Sequence, residues 1–144
     1  MQHTHSRIWV HIIWATKNRQ RVLFKEAGKQ LYNFLMGKSK DLNIEFEQLN
    51  IQPEHLHALI DLPTNVLLCD FMQNIKGSSS YYINDNKILK TKFSWQRGYG
   101  AYSVSASQLQ KVKNYIKNQT EHHKRKTFTE EYNEWKKEYG IFDD

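Results

Sequence analysis

His55, Leu56 and His57 place two imidazoles one residue apart in a segment with strand-like alternation. Side chains alternate across a pleat, so residues i and i+2 share a face, with Cα atoms roughly 7 Å apart. Two imidazoles so related can share one metal ion. A second group stands far along the chain, where Tyr115 and Gln119 lie four residues apart in the run from Ser107 to Lys124. On a helix that spacing is about one turn. The same element carries positive charge at Lys111, Lys113 and Lys117. Plainer readings compete with both groups. The histidine spacing arises by chance in a chain with seven histidines, and His3 and His5 repeat it. Tyr115 alone reads as an aromatic at the core edge with its hydroxyl in water.

These groups need elements to hold them. Leu56, Ala58, Ile60 and Leu62 form one apolar row, and His55, His57, Leu59 and Asp61 form the other, as in a strand with one buried and one mixed face. Ser107 and Gln110 fit a capping box, and Leu109, Val112 and Ile116 recur at helical spacing, so a helix is expected over residues 107–126. Winding it puts Tyr115 and Gln119 along one edge of its apolar stripe.

Periodicity elsewhere predicts strands over residues 7–16, 44–52, 55–62 and 98–105 and helices over 25–38 and 66–84, with a short helix over about 129–139. The first helix is expected to bury Leu31, Phe34 and Leu35, and the second Leu67, Leu68, Phe71, Met72 and Ile75. The order β-α-β-β-α-β belongs to an α+β fold with a ferredoxin-like or RRM-like antiparallel sheet, here with an added C-terminal helix. The 144 residues suit one domain, 1–144, in which 127–144 is a C-terminal extension of unknown role.

A formal charge of +6 and a pI near 9.3 favour a polyanionic partner. Lys17, Arg19 and Arg21 follow the first strand, and Lys124, Arg125 and Lys126 close the tyrosine helix. Trp14, Trp95, Tyr99 and Tyr102 accompany the cations. Phosphates need cations and unpaired bases stack on rings, so the interleaving suits single-stranded nucleic acid, although a solvated charged face over core aromatics produces the same pattern.

Cys69 is the only cysteine, which excludes an internal disulfide and a cysteine-based zinc cluster. Beside Leu68 it reads as a small buried hydrophobe. There is no membrane-spanning apolar run and no signal-peptide h-region, so a soluble, cytoplasmic chain is expected.

Together the motifs resemble a known family. Pro53-Glu54-His55-Leu56-His57-Ala58-Leu59 is similar to the HUH motif, and Tyr115-Ile-Lys-Asn-Gln119 to the nucleophile helix of the single-tyrosine HUH transposases of small bacterial insertion sequences, IS200-like and repeat-associated types included. Val10-His-Ile-Ile-Trp-Ala-Thr-Lys17 and Trp95-Gln-Arg-Gly-Tyr-Gly-Ala-Tyr-Ser-Val104 resemble segments of that family in the same order. The resemblance covers most of the chain up to about Thr127.

It implies a transposase in which His55, His57 and Gln119 hold magnesium or manganese and Tyr115 is the nucleophile. Neutral ligands leave a divalent cation its full charge for polarising a scissile phosphate, which carboxylates would blunt. The implied product is a 5′-phosphotyrosine beside a free 3′-hydroxyl, a linkage that a later 3′-hydroxyl can attack to rejoin strands without ATP. The implied substrate is single-stranded DNA with hairpins near the element ends. Lys17, Arg19, Arg21, Arg97, Lys111, Lys113 and Lys117 are the expected DNA contacts. A homodimer is implied too, in which the tyrosine helix of one subunit can complete the metal site of the other.

His11 reads as a satisfied core-edge histidine within reach of the site, while Glu54 and Asp61 flank the motif as additional ligands in reserve. His122 and His123 are expected to face solvent, DNA or a neighbouring subunit. Two alternatives stand beside the transposase. One is an RRM-like single-stranded RNA or DNA-binding module without catalysis, since Arg97-Gly98-Tyr99-Gly100 matches the opening of the aromatic RNA-binding signature; Ala101 then stands where an aromatic is wanted. The other is a domesticated HUH endonuclease acting on genomic repeats.

Overall fold

The computed structural model of the chain describes residues 4–119 and 127–138. Strand β1 (Trp9–Ala15) is followed by α1 (Lys25–Asp41), β2 (Phe46–Ile51), β3 (His55–Asp61), α2 (Leu68–Asp85), β4 (Gly100–Val104), α3 (Leu109–Lys117) and α4 (Phe128–Glu138). The sheet is antiparallel throughout, in the order β2-β3-β1-β4. With both crossover helices on one face, this is the α+β, ferredoxin-like arrangement that the element order predicts.

Alternation sorts the two faces. Ile12 and Trp14 of β1 and Leu56, Ala58 and Ile60 of β3 point toward α1 and α2, where they join Leu31, Leu35, Phe71, Met72, Ile75 and Ile83 in the main core. Leu31 and Leu35 are one turn apart, as are Phe71, Ile75, Ser79 and Ile83, which is why each helix lays a single stripe on the sheet. Ser79 interrupts its stripe without an unmet polar group: its hydroxyl donates to the Ile75 carbonyl at 2.6 Å and accepts from Trp95 Nε1 at 2.9 Å.

The opposite face carries the chemistry. Register pairs Ile13 with His57, His11 with Leu59 and Ala15 with His55 across β1 and β3, and pairs His11 with Tyr102 across β1 and β4. Paired residues share a face, so His11, His55, His57 and Tyr102 lie together. Helix α3 covers one part of this face through Val112 and Ile116, which pack on Leu59 and Val104. Tyr132 of α4 packs against Ile13 and Tyr102 on another part.

Several local expectations are corrected. Leu67 is 66% exposed because it precedes α2 in extended conformation, outside the helical stripe. Cys69 is exposed, on the solvent side of the first turn of α2. No capping box forms. Residues 106–108 make a tighter helical turn before α3, Ser107 meets Ser105 at 3.1 Å, and Gln110 donates to Asn114. Helix α3 also stops at Lys117, with Asn118 leaving helical geometry, and the expected continuation over residues 120–126 lies outside the described residues. Among the described residues, no helix is long and apolar enough to cross a membrane.

Candidate active site

The two motif histidines are fully buried in the middle of the sheet. His55 Nδ1 lies 2.8 Å from Glu54 Oε1, and the other oxygen of that carboxylate is 3.4 Å from Arg21 Nε. A carboxylate accepts only, so His55 carries a proton on Nδ1, and Nε2 is the nitrogen turned toward Glu131. His57 Nδ1 lies 2.8 Å from Nε2 of the fully buried His11, with the rings stacked 5.1 Å apart. Burial is the main cause that pushes the His11 pKa well below its usual value; the neighbouring His57 adds to the shift and Glu131 opposes it. His11 is therefore neutral at pH 7 and contributes one N–H.

On its other side, His57 Nε2 is 2.7 Å from Glu131 Oε1, and the same oxygen is 3.9 Å from His55 Nε2. Glu131 is 2% exposed and comes from α4. Ligand atoms of His55, His57 and Glu131 all lie within 4.8 Å of one another. Two imidazoles and one carboxylate oxygen, all buried, form a donor set that fits a divalent cation. Contact with Glu131 needs a proton on His57 Nε2; a neutral His57 then accepts at Nδ1 from His11 Nε2–H, whereas a His57 protonated on both nitrogens donates from Nδ1 to His11 Nε2. Binding through His57 Nε2 would require that nitrogen to give up its proton, with His57 Nδ1–H donating to His11 Nε2.

Tyr115 reaches the same place within the one chain. Val112 and Ile116 seat α3, and the intervening turn carries the phenol to His57, ring centroids 5.6 Å apart and nearly perpendicular. Its ring also meets His11 at 6.3 Å, and its hydroxyl oxygen is buried. Gln119 is fully buried and its amide donates to the Tyr115 carbonyl at 3.3 Å, so the side chain folds back along the end of α3.

The flanking carboxylates separate by role. Glu54 supports His55, whereas Asp61 pairs with Arg7 at 2.9 Å and caps the Ile8 amide. Of the expected DNA contacts, Lys17, Lys111 and Lys117 are exposed, and Arg97 is exposed on the loop before β4. Arg21 meets Glu54, Lys113 lies 3.8 Å from Glu47, and Arg19 donates to Thr129 at 2.6 Å. His122 and His123 lie outside the described residues.

Sequence reasoning missed Glu131. An acidic pair in the first turn of a helix, Glu130 and Glu131, reads as ordinary compensation of the helix dipole, and nothing local marks one of the two for burial.

The fold is that of known transposases. A structure described as a transposase of Deinococcus radiodurans superposes with a TM-score of 0.68 at 26% identity, covering 83% of this chain and 95% of that one. A REP-associated tyrosine transposase bound to a REP hairpin superposes with a TM-score of 0.62 at 18% identity, covering 85% and 74%. Among curated relatives, the transposase of insertion element IS200 from Salmonella typhimurium is 27% identical over 129 residues, 86% of this chain and 84% of the relative. The ISDra2 transposase of Deinococcus radiodurans is 25% identical over 114 residues, 76% and 81% of the two chains. Residues 4–119 match the family described as "Transposase IS200 like". The chain belongs to the IS200-like transposase family. Glu131 lies beyond the matched residues.

Proposed function

We propose that this chain, acting as one unit over residues 1–144, cleaves and rejoins single-stranded DNA at hairpin-bearing element ends through Tyr115. The observation that carries the reading is the Tyr115 ring against His57, at 5.6 Å, inside a pocket of donor atoms able to hold a cation. Magnesium or manganese, held by His55 and His57 with Gln119 or Glu131, would polarise the scissile phosphate and offset the charge gathering on its oxygens.

Tyr115 Oη attacks phosphorus as it gives up its proton. The Oη–P bond forms, the bond to the 3′ oxygen breaks, and the strand carries a 5′-phosphotyrosine beside a free 3′-hydroxyl. Reversal by another 3′-hydroxyl restores the phenol and joins the strands. Because Oη is buried, strand entry requires the side chains around it to part. His11 and Glu54 hold the two imidazoles in place while this happens. The fold shared with a transposase bound to a REP hairpin supports a hairpin-bearing substrate. Lys17, Arg97, Lys111 and Lys117 would follow its phosphates. A homodimer would then contain two sites, each with its tyrosine and histidines from one chain.

The test is incubation of wild type and Tyr115→Phe with labelled, hairpin-bearing single-stranded DNA and magnesium. A covalent adduct on the 5′ side is expected from wild type and absent in the variant. No adduct from any of a broad substrate pool, together with tight RNA binding, would replace this reading with the non-catalytic binding module.

A further inference from the structure

A cavity of about 370 Å³ opens beside the site, and nothing in the proposed cleavage chemistry uses it. Its floor includes Ile13 and Ala15, whose partners across the sheet are His57 and His55, so it adjoins the motif pair on the same face. Its walls are Tyr99 and Tyr132, with Arg19 and Arg97 at hand. Tyr99 is 38% exposed, and Tyr132 directly follows Glu131.

The wall is built to keep its shape. Lys76 Nζ donates to the carbonyls of Gln96 at 2.8 Å and Gly98 at 2.9 Å, tying the loop to α2. The Gln96 amide donates to the Ala15 carbonyl at 2.8 Å, and its side-chain oxygen accepts from the Asn18 amide at 2.9 Å. Gly98 turns the loop at φ +79°, a conformation that side-chain-bearing residues rarely adopt. Arg97 and Tyr99 thus stand on either side of a fixed bend. The volume falls at the small end of ligand pockets, which run from about 300 Å³ upward.

We infer that this cavity takes one unpaired nucleobase of the strand lying across the Tyr115 site, stacked on Tyr99 or Tyr132 with its phosphate facing Arg97. The inference rests on the proposed action on single-stranded DNA and adds the place where a nucleotide next to the scissile phosphate is held. A ring accepts the face of any base, and an arginine accepts the phosphate. A base inside a duplex is stacked on both faces by its neighbours, so the cavity also discriminates against duplex.

The test uses the full chain carrying Tyr115→Phe, which binds without cutting, and mixed-sequence single-stranded DNA containing 5-iodouracil. Irradiation is expected to cross-link peptides holding Tyr99 or Tyr132, and the same sequence as duplex is expected to leave them unlinked. Adding Tyr99→Ala should weaken single-strand binding by about fivefold or more, the range for one lost base stack. Tyr99→Phe should restore it, which separates stacking from loss of the loop. Cross-links confined to residues outside this cavity, or equal affinity of the Tyr99→Ala and Tyr99→Phe forms when Tyr132→Ala also leaves affinity unchanged, would overturn the inference. The adduct assay on wild type reads the cleavage proposal separately, so either can fail without the other.

Discussion

Glu54 and His11 each engage the ring nitrogen of a motif histidine that faces away from Glu131, so the proposed metal binding would use the nitrogen on the Glu131 side of each ring. Glu54→Gln keeps the shape and removes the charge. We expect manganese affinity, followed by calorimetry, to fall about ten- to a hundredfold, as for other supports of a metal-bound histidine. An unchanged affinity would show that the contact orients nothing. His11 supplies a pH dependence as well. Its folded pKa is depressed below the unfolded value of about 6.5, so the unfolded chain binds the additional proton between the two. Its contribution to stability is complete above pH about 6.5 and is lost as pH falls below that toward the folded pKa. In metal-free protein, denaturation midpoints should decline over that window, and His11→Leu should remove about 1.4 kcal/mol of the decline per pH unit. The Gly100 position is constrained in the same region, since a Cβ there would stand 2.9 Å from the Tyr102 hydroxyl.

Elements divide the labour between certainty and reach. Helix α3 has only nine residues, too few to be stable alone, and holds Tyr115 in place because Val112 and Ile116 are anchored on the sheet. Helix α4 is tied down by contacts that no local pattern announces: Arg19 to Thr129, His57 to Glu131, and Tyr132 on Ile13 and Tyr102. Two candidates for the third ligand therefore come from two elements, Gln119 after α3 and Glu131 from α4. A carboxylate binds a hard cation more strongly than an amide oxygen does. Glu131→Ala should accordingly lose about tenfold or more in manganese affinity and at least as much as Gln119→Ala. Calorimetry that ranks the two variants the other way would return the third position to Gln119.

The whole molecule raises the question of one chain or two. Tyr115 already lies against His57 within a single chain, so each copy is expected to cut with its own tyrosine. Mixing Tyr115→Phe with His57→Ala protein checks this. No adduct should appear, because neither copy holds both groups. Adduct from the mixture would mean that a tyrosine helix serves the neighbouring subunit.

How much the chain discloses depends on the range of the contact. Alternation along residues 55–61 already puts both histidines on one face, because the pleat has a period of two wherever a strand forms. The stripe of Leu109, Val112 and Ile116 likewise makes α3 amphipathic, and the β-α-β-β-α-β order points to the sheet topology before any contact is known. The same periodicities misplace Leu67 and Cys69, since they do not say where a helix begins or which arc meets solvent. His11 and His57 are 46 residues apart, and His57 and Glu131 are 74 apart. Only packing of the completed sheet and the return of α4 across it bring those groups within hydrogen-bond distance, because such contacts depend on how distant segments fill shared space and leave no periodic trace in the residues between them.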